Sequence, residues 1–107
     1  MSNLTERSAL ISVFNKDGIE KIARKLVDLK IKIISTGGTE KYLNSRGIKT
    51  EKVENLTNYP SIFGGRVKTL HPKIFGGILH RRELDDDIHE RNKFKIPSID
   101  FVIVDLY

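Results

Sequence analysis

The chain of 107 residues carries 19 Lys and Arg against 14 Asp and Glu, a formal net charge of +5, with 38% hydrophobic residues, 31% charged residues and no cysteine. This length admits one domain, the composition excludes a disordered or fibrous chain, and the missing thiols exclude a disulfide framework, a thiolate metal site and a thiol nucleophile. Apolar runs such as Phe101 to Val104 are too short to cross a bilayer and no signal-like segment follows the polar start, so a cytoplasmic protein with no membrane partner is expected.

Ala9-Leu10-Ile11-Ser12-Val13-Phe14 reads as a strand covered on both faces. Asp17 is expected to cap a helix, with Glu20 completing a capping box and Ile19, Ile22, Ala23, Leu26 and Val27 forming one buried stripe. Ile31 to Ser35 is a second strand, Glu40 to Ser45 a second helix with Gly47 at its C-terminal cap, and Ile48 to Val53 a weaker third strand. Asn55 to Pro60 reads as a turn or loop. The glycine-bounded stretch from Ser61 to Gly77 predicts an ordered loop ending in a short helix, of the kind that carries function.

Further on, Leu84 and Ile88 lie one turn apart behind Asp85-Asp86-Asp87 and ahead of Arg91 and Lys93, a surface helix whose charges suit its dipole. Pro97 ends it, and Ile99 to Leu106 reads as a buried strand. Alternating strands and helices predict an α/β fold with a mainly parallel sheet, whose ligands bind at the carboxyl ends of the strands.

The charge of +5 fits nucleic acid, an anionic surface or a small anion. Lys41, Arg46, Lys49 and Lys52 are interleaved with Glu40, Glu51 and Glu54, so no continuous basic stripe marks a nucleic-acid partner. Ser35-Thr36-Gly37-Gly38-Thr39 offers backbone N–H groups and hydroxyls at a helix start, which suits a phosphate or carboxylate and equally describes an ordinary capped turn. It is neither a dinucleotide fingerprint nor a Walker A loop. In Gly64-Gly65-Arg66-Val67-Lys68-Thr69-Leu70-His71-Pro72-Lys73, an extended chain puts Arg66 and Lys68 on one side, where two cations can meet one anion; the plainer reading is a solvated basic loop. Lys16 is a cap neighbour or a ligand contact. No metal is expected: His71, His80 and His89 share no face, and the aspartate run lacks the pattern of a calcium loop.

Ser12-Val13-Phe14-Asn15-Lys16-Asp17-Gly18, Ser35-Thr36-Gly37-Gly38-Thr39, Gly65 to Lys73 with Gly76-Gly77, and Asp105-Leu106-Tyr107 occur in this order. With them the chain resembles the N-terminal part of the PurH family, bifunctional purine biosynthesis proteins. These join an inosine monophosphate (IMP) cyclohydrolase domain of methylglyoxal-synthase-like fold to an aminoimidazole carboxamide ribonucleotide (AICAR) formyltransferase domain. The resemblance implies a three-layer, Rossmann-like α/β domain, C-terminally truncated, with residues 1–107 its N-terminal portion and the formyltransferase domain absent.

It also implies a site for a purine ribonucleotide monophosphate. Phe14, Asn15, Lys16, Thr36, Gly37, Gly38, Thr39, Arg66, Val67, Lys68, Thr69, Val104 and Asp105 match the family's nucleotide-binding positions, and Lys68 and Tyr107 match positions beside the reacting base. The implied reaction is ring closure of the formamido ribonucleotide (FAICAR) to IMP with loss of water. This step needs no cofactor; 10-formyltetrahydrofolate belongs to the absent domain, and the full-length protein is expected to be a homodimer. Asn15, Phe75 and Asp105 depart from the family's usual Asp, His and Asn. The chain taken alone is expected to bind an anion weakly with negligible turnover. Other readings are a small-anion-binding regulatory domain of the same fold, and an interaction module that uses its last strand as an open edge.

Overall fold

The computed structural model describes residues 6–65 and 67–105. Its elements in chain order are β1 (Ser8–Ser12), α1 (Ile19–Asp28), β2 (Lys32–Ser35), α2 (Gly37–Ser45), β3 (Glu51–Lys52), α3 (Val53–Thr57), α4 (Pro72–Leu79), α5 (Asp85–Lys93) and β4 (Ile99–Val104). The strands form one parallel sheet in the order β3-β2-β1-β4, with Leu10 level with Ile34 on one side and Val102 on the other.

Successive residues of a strand face opposite sides, so the continuous apolar runs of β1 and β2 feed two separate cores. Ala9, Ile11 and Ile33 pack with Ile19, Ala23 and Leu26 of α1 and Leu43 of α2. On the other face Leu10, Ile34 and Ile99 pack with Val53 of α3 and Ile74 of α4. The result is the expected α/β sandwich of helix, sheet and helix.

Several local expectations are corrected. Helix α1 is capped by Gly18 at φ +77°, and Asp17 makes no capping bond: Asn15 Oδ1 accepts the Asp17 amide at 2.8 Å, which tightens the turn and leaves the left-handed step to the following glycine. Glu20 pairs with Arg24 at 2.8 Å instead of closing a capping box. Ile22 and Val27 are 46% and 47% exposed, because they lie roughly 70° to either side of the Ile19–Ala23–Leu26 line and overhang the sheet.

Helix α2 begins at Gly37, three residues before the expected start. The Glu40 amide closes onto Thr36 O at 2.8 Å, and the Thr39 hydroxyl is latched to Val13. Its end behaves as expected, with Gly47 at φ +78° and its amide donating to Asn44 O. The third strand shrinks to Glu51–Lys52, and part of the expected 55–60 loop is helix α3, stopped by Asn58 at φ +56°. Burial of Val53 against Ile74 outweighs the weak local signal there.

Strand β4 is not a buried run. Only Ile99 is buried, while Phe101, Val102 and Val104 are exposed, because β4 is an edge of the described sheet. Leu106, predicted as its last residue, lies outside the described residues.

Helix α5 is the expected surface helix, save that Arg91 is buried with one guanidinium N–H donating to Ile96 O. In its first turn, Asp87 accepts the Arg81 amide at 2.7 Å and two guanidinium N–H groups at 3.0 Å each. The Arg81 side-chain bonds, then its amide, lower the Asp87 carboxyl from its ordinary 3.8 to about 2. A lowered carboxyl stabilises the fold above its unfolded value and loses that contribution as pH falls through the folded one. Arg81→Ala is therefore expected to return the Asp87 midpoint toward 3.8 and to flatten the acid dependence of stability between about pH 4 and pH 2. A carbon-detected NMR titration of Asp87 checks it; an unmoved midpoint would show that Arg81 is not the cause.

Candidate anion-binding site

The chain crosses from β1 to β2 and β3 on one side, then returns past β1 to place β4 on the other. The crevice at this change of direction, outside the carboxyl ends of the strands, is where open α/β sheets bind ligands. A cavity of about 910 Å³ opens there, lined by the ends of β1 and β2, by Asp105 after β4, and by Phe63, Gly64, Gly65 and Lys68. This volume lies in the roughly 300–1,000 Å³ range of small-molecule sites.

The floor is built from hydroxyls already committed to the fold. Ser12 Oγ and Thr36 Oγ1 share a 2.7 Å hydrogen bond. Thr39, 2% exposed, accepts the Val13 amide at 3.0 Å and donates to Val13 O at 3.1 Å. These bonds tie the start of α2 to the end of β1. Because the Thr36 hydroxyl faces Ser12, it does not cap α2, and the first turn opens toward the cavity at Gly38 without a side-chain cap from Thr36. An uncapped helix start presents N–H donors and the positive end of the dipole.

Two lysines line the cavity, Lys16 beside this floor and Lys68 on the opposite loop. Lys16 Nζ donates to Val13 O and to Phe14 O, the latter at 3.0 Å, and lies 3.9 Å from where a Cβ on Gly38 would stand. Lys68 is delivered by a tight hairpin in which Ile62 and Val67 exchange backbone hydrogen bonds at 3.0 and 3.2 Å. Phe63, Gly64 and Gly65 all have positive φ at its tip, and Lys68 Nζ lies 3.7 Å from a Cβ placed on Gly65. Neither lysine forms an ion pair among the described residues. The cavity wall also carries the exposed rings of Phe14 and Phe63.

The Asp105 carboxylate turns toward the backbone. One oxygen accepts the Phe14 amide and the other the Asn15 amide, each at 2.8 Å. These two bonds, Phe14 first, lower the Asp105 carboxyl below its ordinary value, so it is ionised at neutral pH.

Of the residues singled out in the sequence, Phe14, Lys16, Thr36, Gly38, Thr39, Lys68 and Asp105 line this one cavity. Gly37 sits in the first turn of α2 beside it. Asn15 lines a shallower neighbouring hollow next to α1, and Val67 lines a groove behind the loop with Tyr59 and Leu70. Thr69 and Val104 line neither the cavity nor these two grooves. Arg66 and Tyr107 lie outside the described residues, and with them the expected meeting of Arg66 and Lys68.

Sequence reasoning passed over Ser12, Val13, Phe63, Gly64 and Gly65 as site residues. The paired glycines ahead of a basic string were the one available signal for the hairpin. Two of the three histidines serve backbone elsewhere: His71 Nδ1 accepts the Lys73 amide at the start of α4, and His80 Nδ1 bonds Gly76 O. Among the described residues no three His, Asp or Glu side chains converge as a metal site, and no helix is long and apolar enough to cross a membrane.

The profile of the MGS-like domain family matches residues 18–107. The chain is 55% identical over 101 residues to the bifunctional purine biosynthesis protein PurH of Bacteroides thetaiotaomicron, covering 94% of this chain. It is 50% identical over 99 residues to the protein of that name from Aquifex aeolicus. In both cases the chain spans about a fifth, 20%, of the relative's length. Among solved structures, a crystal structure of ForH superposes with a TM-score of 0.86 at 36% identity, covering 96% of this chain and 54% of that one.

Proposed function

Since the chain belongs to the MGS-like domain family and matches the N-terminal MGS-like part of PurH proteins, we propose that its cavity binds a purine ribonucleotide monophosphate and that it serves IMP formation by ring closure. The observation that carries the reading is the convergence of Lys16 and Lys68 on a cavity that also takes in the uncapped start of α2. Lys16 and the start of α2 suit a dianionic phosphate, held by backbone N–H donors and charge-assisted bonds, which leaves Lys68 for the reacting end of the ligand. The apolar faces of Phe14 and Phe63 suit a flat base farther out.

In the proposed reaction the carboxamide nitrogen of FAICAR attacks its formyl carbon and gives up one proton, the formamido nitrogen gives up another as its double bond to that carbon forms, and the formyl oxygen leaves with both as water. Negative charge develops on that oxygen at the tetrahedral stage. An ammonium on the cavity wall, Lys68, suits its stabilisation, and the phenol of Tyr107 would serve proton transfer. No cofactor enters this step, since neither a redox change nor a group donor is needed. For the longer protein of which this chain matches about a fifth, the proposal includes formyl transfer from 10-formyltetrahydrofolate and a homodimer.

Titrating the isotope-labelled chain with IMP and with inosine tests the reading. IMP is expected to bind about a hundredfold tighter than inosine, since each charge-assisted bond to the phosphate contributes roughly 1.5–3 kcal/mol, and to move the Gly37 and Gly38 amide signals. Equal affinities would overturn the phosphate assignment. Inorganic phosphate binding without purine preference would favour a small-anion regulatory domain.

A further inference from the structure

We propose that Asp105 is a positioning residue of this site: its carboxylate clamps the turn after β1 and thereby holds the Lys16 ammonium over the first turn of α2. The two oxygens take separate partners, the Phe14 amide and the Asn15 amide, each at 2.8 Å and across some ninety residues of chain. The same turn presents its carbonyls the other way, where Val13 O and Phe14 O accept Lys16 Nζ. Asp105 therefore grips the donors of the turn while the lysine grips its acceptors. The place of the ammonium beside Gly38 follows from the shape of that turn.

Two further contacts make the turn a unit. Val13 is fixed from the α2 side by the Thr39 hydroxyl, and the Asp17 amide is taken by Asn15 Oδ1. Asp105 is the element that joins this unit to the end of β4, the strand on the far side of β1. A carboxylate suits the task because two amide donors need two acceptor oxygens. An asparagine offers one oxygen and turns an NH₂ donor toward the second amide.

The clamp belongs to the ligand-free chain; only the purpose of Lys16 rests on the proposed phosphate site. The test compares the full chain with Asp105→Ala, Asp105→Asn, Lys16→Ala and the Asp105→Ala/Lys16→Ala double variant. Amide spectra and exchange are recorded without ligand, and affinity is measured for inorganic phosphate. Without ligand, Asp105→Ala is expected to shift the Phe14 and Asn15 amide protons and speed their exchange, and Asp105→Asn to affect one of the two more than the other. Phosphate affinity is expected to fall about tenfold in Asp105→Ala and about tenfold in Lys16→Ala, with the double variant within about twofold of Lys16→Ala, because residues acting through one group are not additive.

Additive losses in the double variant would show that Asp105 does not work through Lys16. Unchanged Phe14 and Asn15 amides in Asp105→Ala would remove the clamp itself. Should the unsubstituted chain bind no phosphate, the functional reading fails, and the amide exchange of Phe14 and Asn15 then decides the clamp alone. Asp105→Asn keeps the comparison available should the alanine variant fold poorly.

Discussion

Replacing Gly77 by alanine is expected to destabilise the chain by roughly 1–3 kcal/mol, the usual range for overpacking a filled core. Helix α4 crosses the start of β4 at this residue. A Cβ on Gly77 would stand 2.6 Å from Pro97 O and 2.9 Å from both Cδ1 and Cγ1 of Ile99. Ile99 is itself buried in the core beneath α4, and Pro97 O is backbone, so neither yields cheaply. Helix propensity pulls the other way, since alanine exceeds glycine by about 1 kcal/mol in a helix interior. The steric term is expected to win because the helix must lift off the strand to admit the methyl group.

Gly37 is the control. A Cβ there meets nothing within 4 Å, so Gly37→Ala is expected to leave stability within about 0.5 kcal/mol. Urea midpoints of the two variants measure the difference. A Gly77→Ala midpoint at or above that of the unsubstituted chain would mean that α4 does not rest on β4 as described. The consequence reaches the site, because α4 follows directly on the loop that carries Lys68.

Gly38→Asp is expected to abolish anion binding while leaving the fold intact. The nearest atom to a Cβ at Gly38 is Lys16 Nζ at 3.9 Å, which is ordinary contact and calls for no backbone shift. An acidic group in the first turn of a helix is favourable by roughly 0.3–1 kcal/mol, which helps to offset the modest loss of capping freedom at the glycine. The same carboxylate stands beside the ammonium and the helix start, where it repels an incoming phosphate and pairs with its partner. Loss of two charge-assisted bonds corresponds to an affinity drop of about a hundredfold or more. Calorimetric titration with IMP, alongside a thermal melt, separates the two effects. Retained IMP affinity in a folded Gly38→Asp variant would place the phosphate elsewhere.

Much of this architecture was legible in the residues because the signals were local. The apolar run of β1 and β2, the helical spacing of Ile19, Ala23 and Leu26, and Gly47 at the end of α2 each act within a few residues and survive in the fold. Glycines beside hydroxyls and a basic string beside paired glycines marked the two chain segments that meet at the cavity. What tertiary structure decided were matters of competition and distance. The turn that Asn15 closes onto the Asp17 amide put Gly18, not Asp17, at the helix cap, and burial of Val53 turned part of an expected loop into α3. Edge position left Phe101, Val102 and Val104 exposed where their composition reads as buried. Asp105 shows the limit most plainly: its partners, Phe14 and Asn15, stand about ninety residues away, and only the parallel pairing of β4 with β1 brings a carboxylate onto their amides. Periodicity and capping report the forces along a segment, whereas the contacts that aim a side chain come from segments the chain has yet to fold against.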